Sequence, residues 1–310
     1  MKICSLVPGA TEVVAALGLQ QNLVGISHEC DYPPSLGTIP VIVRPRIDSH
    51  SLSSAHIDEQ VRAHVSSTGT LYELNEQQLL AARPDLIITQ NLCDVCAVTP
   101  SQLSRVTSAL VPPPGVLTLH PSRLADIVQD VVTIGRALHE EGGGIQLATV
   151  LRRRLEAVRA AIPPDRTRPK VACLEWLDPL YAAGHWVPDM VEAAGGLDVL
   201  ATAGTPSQRI GWDRLQASSP DVLVLMPCGF TIERTKTELR LLTDRPEWNR
   251  LPAVQRGQVY LADAQAYFNR PGPRLVAGVE QLAAILHPDR FGLELPLSIE
   301  RLPIAAPVPQ

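Results

Sequence analysis

The chain has 310 residues, 19% of them charged and 45% hydrophobic, and a formal net charge of -5. That length fits two domains with a core each, and the acidic balance leaves no basic face for nucleic acid. No run of about 18 apolar residues occurs, which excludes a helix that spans a membrane.

Met1 stands one residue before the first apolar run, with no basic and apolar leader ahead of it. A cytoplasmic protein is therefore expected, or a periplasmic one if a leader has been removed. Residues 3–7 predict a buried strand and 11–17 a helix closed by Gly18. A second strand at 23–26 runs into His28-Glu29-Cys30-Asp31-Tyr32-Pro33-Pro34, where the paired prolines force a loop. Residues 35–70 carry scattered Ser and His with weak periodicity and read as an insertion, its histidines His50, His56 and His64 solvated. A helix at 76–83 feeds a strand at 86–89, which delivers Asn91-Leu92-Cys93-Asp94-Val95-Cys96. Another strand is expected at 116–119.

Leu124, Ile127, Val128, Val131, Ile134 and Leu138 follow helical spacing. A helix over 122–141 would be about 30 Å long, enough for a stiff spine. Gly142-Gly143-Gly144 is expected to interrupt it before the stripe resumes over 147–162. Beyond lie a strand at 171–174, helices at 188–194 and 212–218, strands at 222–226 and 259–262, and a helix at 273–286. Residues 293–310, with four prolines, read as a surface or disordered tail. The expected division is an amino-terminal lobe over 1–120, a linking helix over 121–162, a carboxy-terminal lobe over 163–292 and the tail.

The two halves resemble each other. Lys2-Ile3-Cys4 opens a unit that reaches Arg83-Pro84-Asp85-Leu86-Ile87-Ile88, and Lys170-Val171-Ala172-Cys173 opens one that reaches Ser219-Pro220-Asp221-Val222-Leu223-Val224. Pro84 lies 82 positions after Lys2 and Pro220 only 50 after Lys170, so the surplus falls mostly in 35–70. Two such α/β lobes predict ligand bound in a cleft between them.

Further motifs are Ser5-Leu6-Val7-Pro8-Gly9-Ala10-Thr11-Glu12, Cys30-Asp31-Tyr32-Pro33-Pro34, Pro179-Leu180-Tyr181-Ala182-Ala183-Gly184, Ala194-Gly195-Gly196 and Arg270-Pro271-Gly272-Pro273-Arg274. In this order and spacing, over most of 1–290, the chain resembles the cobalamin- and iron-chelate-binding proteins of ABC importers, in particular the vitamin B12-binding type. The resemblance implies two three-layer α/β/α lobes joined by a long helix, the class III periplasmic-binding-protein arrangement, binding ligand between them with little hinge motion; a monomer is expected. It also implies docking on a transporter through one acidic residue per lobe, near Glu76 and at Asp213. The stricter correspondence puts uncharged Gln77 at the first position, which argues against docking on an importer.

Planar macrocycles need aromatic walls with a few polar anchors. Tyr32, Trp176, Tyr181, Trp186, Trp212, Phe230, Tyr267 and Phe268 fall in or after strands, where open α/β sheets bind ligand. They are the expected corrinoid contacts, with His185 as a further donor to cobalt. His28 and Cys30 with Cys93 and Cys96, joined by Cys228 from the other lobe, could hold zinc or iron, since thiolates and imidazole suit a tetrahedral site. Cobalamin or a related corrinoid is the first expected ligand, and a metal or haem protein built on the cysteines is the alternative. A tetrapyrrole-modifying enzyme ranks third, because no nucleotide loop, nucleophile elbow or paired acid/base motif occurs.

Overall fold

The computed structural model describes residues 1–49, 52–68, 70–91, 100–292 and 294–303. It divides into two compact units. One is Met1–Pro121, Ala125–Arg152 and Pro271–Pro273; the other is Ser122–Leu124, Arg153–Arg270 and the chain from Arg274 on.

In the first unit, β1 (Ile3–Ser5), α1 (Pro8–Ala16), β2 (Leu23–Ser27), β3 (Val41–Pro45), α2 (Ser54–Thr68), β4 (Tyr72–Leu74), α3 (Glu76–Ala82), β5 (Leu86–Gln90), α4 (Pro100–Thr107) and β6 (Gly115–Leu119) follow in order. The sheet order is β4-β3-β2-β1-β5-β6, parallel except for β4. The central strands β1 and β5 are buried along almost their whole length, as strands of a parallel sheet covered on both faces are. Cys4, Leu6, Ile42, Leu79 and Ile87 share one core cluster.

The insertion at 35–70 is more ordered than its weak periodicity suggests. It contains β3 and the 15-residue α2. β3 escapes notice because Pro40 and Pro45 leave only three apolar residues between them. α2 escapes because Ser54 and Asp58 are buried beside Ile57, so its inner stripe is half polar. His56 lies exposed against Ser53, and His64 is part-buried with Nδ1 3.0 Å from the Gln60 carbonyl oxygen; His50 is outside the described residues.

The glycine triplet does not break a helix. α5 (Leu124–Ala137) ends at Leu138-His139-Glu140, with His139 at φ 62°, and α6 (Glu141–Ala161) runs straight through Gly142, Gly143 and Gly144. The reason is contact. A Cβ on Gly144 would come within 3.0 Å of the Val131 carbonyl oxygen, and one on Gly135 within 2.9 Å of the Gly144 Cα. The turn of α5 into α6 therefore requires glycine at the crossing, at Gly135 and Gly144.

In the second unit, β7 (Lys170–Leu177), β8 (Leu180–Ala182), α7 (Val187–Ala193), β9 (Leu197–Asp198), β10 (Gln208–Arg209), α8 (Trp212–Ser218), β11 (Val222–Leu225) and short helices α9 (Ile232–Thr237), α10 (Arg240–Thr243) and α11 (Pro252–Gln255) precede β12 (Val259–Ala262). Then come α12 (Ala264–Tyr267), α13 (Leu275–Leu286), α14 (Pro288–Phe291) and β13 (Ile299–Arg301). The sheet order is β10-β8-β7-β11-β12-β13, with β9 beside β7. The expected tail thus supplies an antiparallel edge strand, Tyr260 opposite Arg301, secured by the Lys236–Glu300 ion pair.

The internal repeat is explicit. α3 and α8 each have seven residues and end in a left-handed residue, Arg83 at φ 44° and Ser219 at φ 45°, followed by the proline that stops the helix. By this match Gln77 corresponds to Asp213.

Candidate ligand-binding site

The aromatic residues of the second unit are arranged by strand register. β7 and β8 are antiparallel, with Leu174 opposite Ala182, Trp176 opposite Tyr181 and Leu177 opposite Leu180. A bulge between Leu174 and Trp176 explains the pattern. Leu174, Leu177, Leu180 and Ala182 all enter the core cluster, so the bulge turns Trp176 to the other face, beside Tyr181. Phe230 meets Trp176 edge-on at 5.3 Å, and the Arg234 guanidinium lies 4.8 Å over the Phe230 ring. Trp176 and Tyr181 are part-exposed at the carboxyl end of β7 and in the strand that follows it.

Other expected contacts are placed differently. Trp186 is 4% exposed and donates its indole N–H to the Phe268 carbonyl at 2.7 Å; the Phe268 side chain is 0% exposed. Phe230 is buried beneath Trp176. These three present almost no surface to a ligand; they support the elements that carry the accessible residues. Trp212 opens α8 and packs on the core cluster. His185, at φ 51°, lies 5.7 Å from Trp186, and burial lowers its pKa from the usual 6.5. Tyr267 has the Arg274 guanidinium 5.9 Å from its ring.

Glu175 is a residue that sequence reasoning passed over. It occupies the bulge next to Trp176, and burial pushes its carboxyl up to about 7, against hydrogen bonds from Ser207 and the Gly184 N–H. The only signal was a single charge inside the run Val171-Ala172-Cys173-Leu174-Glu175-Trp176-Leu177.

In the first unit Tyr32 is 46% exposed, five residues beyond β2. Cys30 lies close to the start of the first helix. Its thiol is buried, 3.0 Å from Thr11 Oγ1, which also donates to Ser5 Oγ at 2.8 Å. The His28 ring sits instead against the Val43 carbonyl, Glu29 and Tyr72. Cys93 and Cys96 lie outside the described residues. Cys228 is exposed at the carboxyl end of β11, its backbone N–H on the Glu175 carbonyl at 2.9 Å. Among the described residues, no group of three or more His, Cys, Asp and Glu side chains could hold a metal ion.

Two motifs singled out in the sequence meet. A Cβ on Gly9 would lie 1.9 Å from the Pro271 carbonyl oxygen, so the start of α1 and Pro271-Gly272 pack backbone to backbone. Of the docking candidates, Glu76 in the first turn of α3 is ion-paired with Arg105, and Asp213 in the first turn of α8 is exposed. No helix among the described residues is long and apolar enough to cross a membrane.

Two α/β units with aromatic side chains at their strand ends describe a binding protein of small ligands. Residues 3–266 match the periplasmic binding protein family model, and the chain belongs to that family. A vitamin B12-binding protein of Vibrio cholerae is 24% identical over 289 residues, 92% of this chain and 88% of the relative. An uncharacterised ABC transporter substrate-binding lipoprotein of Bacillus subtilis is 23% identical over 296 residues, covering 94% and 81%. Among solved structures, a periplasmic haem-binding protein from Pseudomonas aeruginosa superposes with TM-score 0.73 at 20% identity, covering 97% of each chain. The periplasmic vitamin B12-binding protein of Vibrio cholerae superposes with TM-score 0.67 at 21% identity, covering 92% and 96%. The expected fold class and family are therefore correct. The expectation of a cytoplasmic protein that avoids an importer finds no support among relatives described as periplasmic, or as transporter-associated and lipid-anchored.

Proposed function

We propose that this chain is a carrier of a tetrapyrrole chelate, in the first place a corrinoid such as cobalamin or a precursor, serving an ABC importer. The observation that carries the reading is Trp176. A bulge sets it apart from the core, part-exposed beside Tyr181, and its ring offers a flat apolar face of the kind a macrocycle stacks on. The B12- and haem-binding relatives support the ligand class. In the first unit Tyr32 is an exposed ring. The importer would contact the first turns of α3 and α8, where Glu76 and Asp213 stand.

The test is a visible-spectrum titration of metal-analysed protein with hydroxocobalamin and with haemin. A saturable one-to-one band shift is expected, weakened about tenfold or more in Trp176→Ala, the scale of one aromatic anchor lost. Unshifted bands with both ligands, or an unchanged affinity in Trp176→Ala, would remove the reading.

A further inference from the structure

The aromatic pair continues sideways into a charge. β8 pairs with β10 in antiparallel register, Tyr181 opposite Arg209 and Ala182 opposite Gln208. Directly opposed residues share a sheet face. Arg209 therefore stands on the face of Tyr181 and Trp176, away from the core cluster that takes Ala182. The result is one row across three strands: Phe230 against Trp176, then Tyr181, then Arg209. With strands about 4.8 Å apart, Trp176 and Arg209 are about 10 Å from each other, comparable to the width of a tetrapyrrole ring.

The two arginines of this row differ. Arg234, over Phe230, is bonded to Glu238 at 2.7 Å, so its charge is already answered. Arg209 is exposed on an edge strand and makes no ion pair or side-chain hydrogen bond among the described residues. Its neighbour Arg214 is spent on Gln208 and the Leu200 carbonyl. Glu175 is the carboxyl on this face, and it is held by Ser207, two residues before Arg209.

We propose that Arg209 anchors a peripheral carboxylate of the ligand while the ring stacks on Trp176 and Tyr181, so that among tetrapyrroles those with anionic side groups are preferred. The inference rests on the tetrapyrrole reading above and refines it. A guanidinium fork fits a carboxylate with two parallel hydrogen bonds, which an amide-substituted ring does not offer. A haem with propionates and a corrin with free acid side chains share this chemistry.

The experiment titrates the full chain and its Arg209→Gln and Arg209→Lys variants with two matched pairs. These are haemin against haemin dimethyl ester, and cobyrinic acid against cobinamide. In one pair the wild type is expected to bind the acid about tenfold or more tighter than its neutral counterpart, the scale of one charged hydrogen-bonded anchor. Arg209→Gln should erase that preference and leave the neutral member's affinity unchanged, and Arg209→Lys should restore part of it. The pair that responds identifies porphyrin or corrin as the source. Equal affinities in wild type and Arg209→Gln, or a wild-type preference for the neutral members, overturn the proposal while the carrier reading stands. If no member of either pair binds the wild type, the tetrapyrrole reading falls and takes this proposal with it.

Discussion

Asp221 accepts the backbone N–H of Lys170 at 3.0 Å, and Asp85 accepts that of Lys2 at 2.6 Å. In return Lys170 and Lys2 each offer their carbonyl to the aspartate's own N–H, at 2.8 Å in both units. This exchange fixes the register of the two central strands in each sheet, with Ile3 opposite Leu86 and Val171 opposite Val222. The Pro-Asp pair is thus a device used twice: proline ends the helix, and aspartate locks the start of the next strand to its neighbour.

Asp221→Ala is expected to cost about 1–2 kcal/mol, the value of a hydrogen bond with one charged partner. The Lys170 N–H, and after it Arg256, hold the Asp221 carboxyl below its usual 3.8. The stabilisation is therefore present above that value and is lost as the pH falls through the lower folded pKa. Urea denaturation of both proteins at neutral and strongly acidic pH measures it. A difference that persists unchanged in acid would show that the carboxylate charge is not what matters.

Gly9→Ala tests the backbone contact between the start of α1 and Pro271. The added Cβ would lie 1.9 Å from a carbonyl oxygen, so one segment must move. An expected loss of about 2–3 kcal/mol follows from overpacking, against roughly neutral behaviour for Gly37→Ala, where a Cβ meets nothing within 4 Å. Equal melting temperatures for the two variants would contradict the packing.

Glu175 should make the second unit sensitive to pH. Burial lifts its folded pKa from 4.5 to about 7. The folded state then holds the proton over that window, so stability is highest below 4.5 and falls as the pH rises through about 7. Glu175→Gln, which needs no proton, is expected to melt a few degrees higher than wild type at pH 8 and to show little gain at pH 5. The same carboxylate repels an anionic ligand, so an acidic tetrapyrrole should bind more tightly at pH 6 than at pH 8. Glu175→Gln should flatten that profile.

His287 acts in the opposite sense. Its ring is 1% exposed, and Nε2 lies 2.6 Å from where a Gly195 Cβ would be. Burial first, then Arg166, lowers its pKa from 6.5, against smaller opposing effects of Gly195, Asp289 and Ala194. The unfolded chain takes up a proton near 6.5 that the folded chain refuses, so stability falls as the pH drops below that value. Melting curves of His287→Leu between pH 8 and 5 should show a shallower decline than wild type. Parallel curves would assign the acid sensitivity elsewhere.

Local sequence was sufficient wherever neighbouring residues dictate the structure. The apolar runs of β1, β5, β7 and β11, the seven-residue helices before Pro84 and Pro220, and the order of family motifs all follow from residues adjacent in the chain. Their pattern points to two α/β units, and the motifs carry the resemblance to the family to which the chain belongs. Tertiary structure decided what depends on residues far apart. The glycines at 142–144 look like a helix break, and only the approach of α5 shows why Gly144 lies inside α6. Trp176 and Trp186 look alike in sequence. A bulge turns one to the part-exposed face at the strand end, while the other is buried with its indole N–H on the Phe268 carbonyl, 82 positions away. Arg209 drew no notice, since its place beside Tyr181 and Trp176 comes from pairing across three strands. Periodicity reports which face of an element is apolar; which residues gather at a site is set by register and packing between elements.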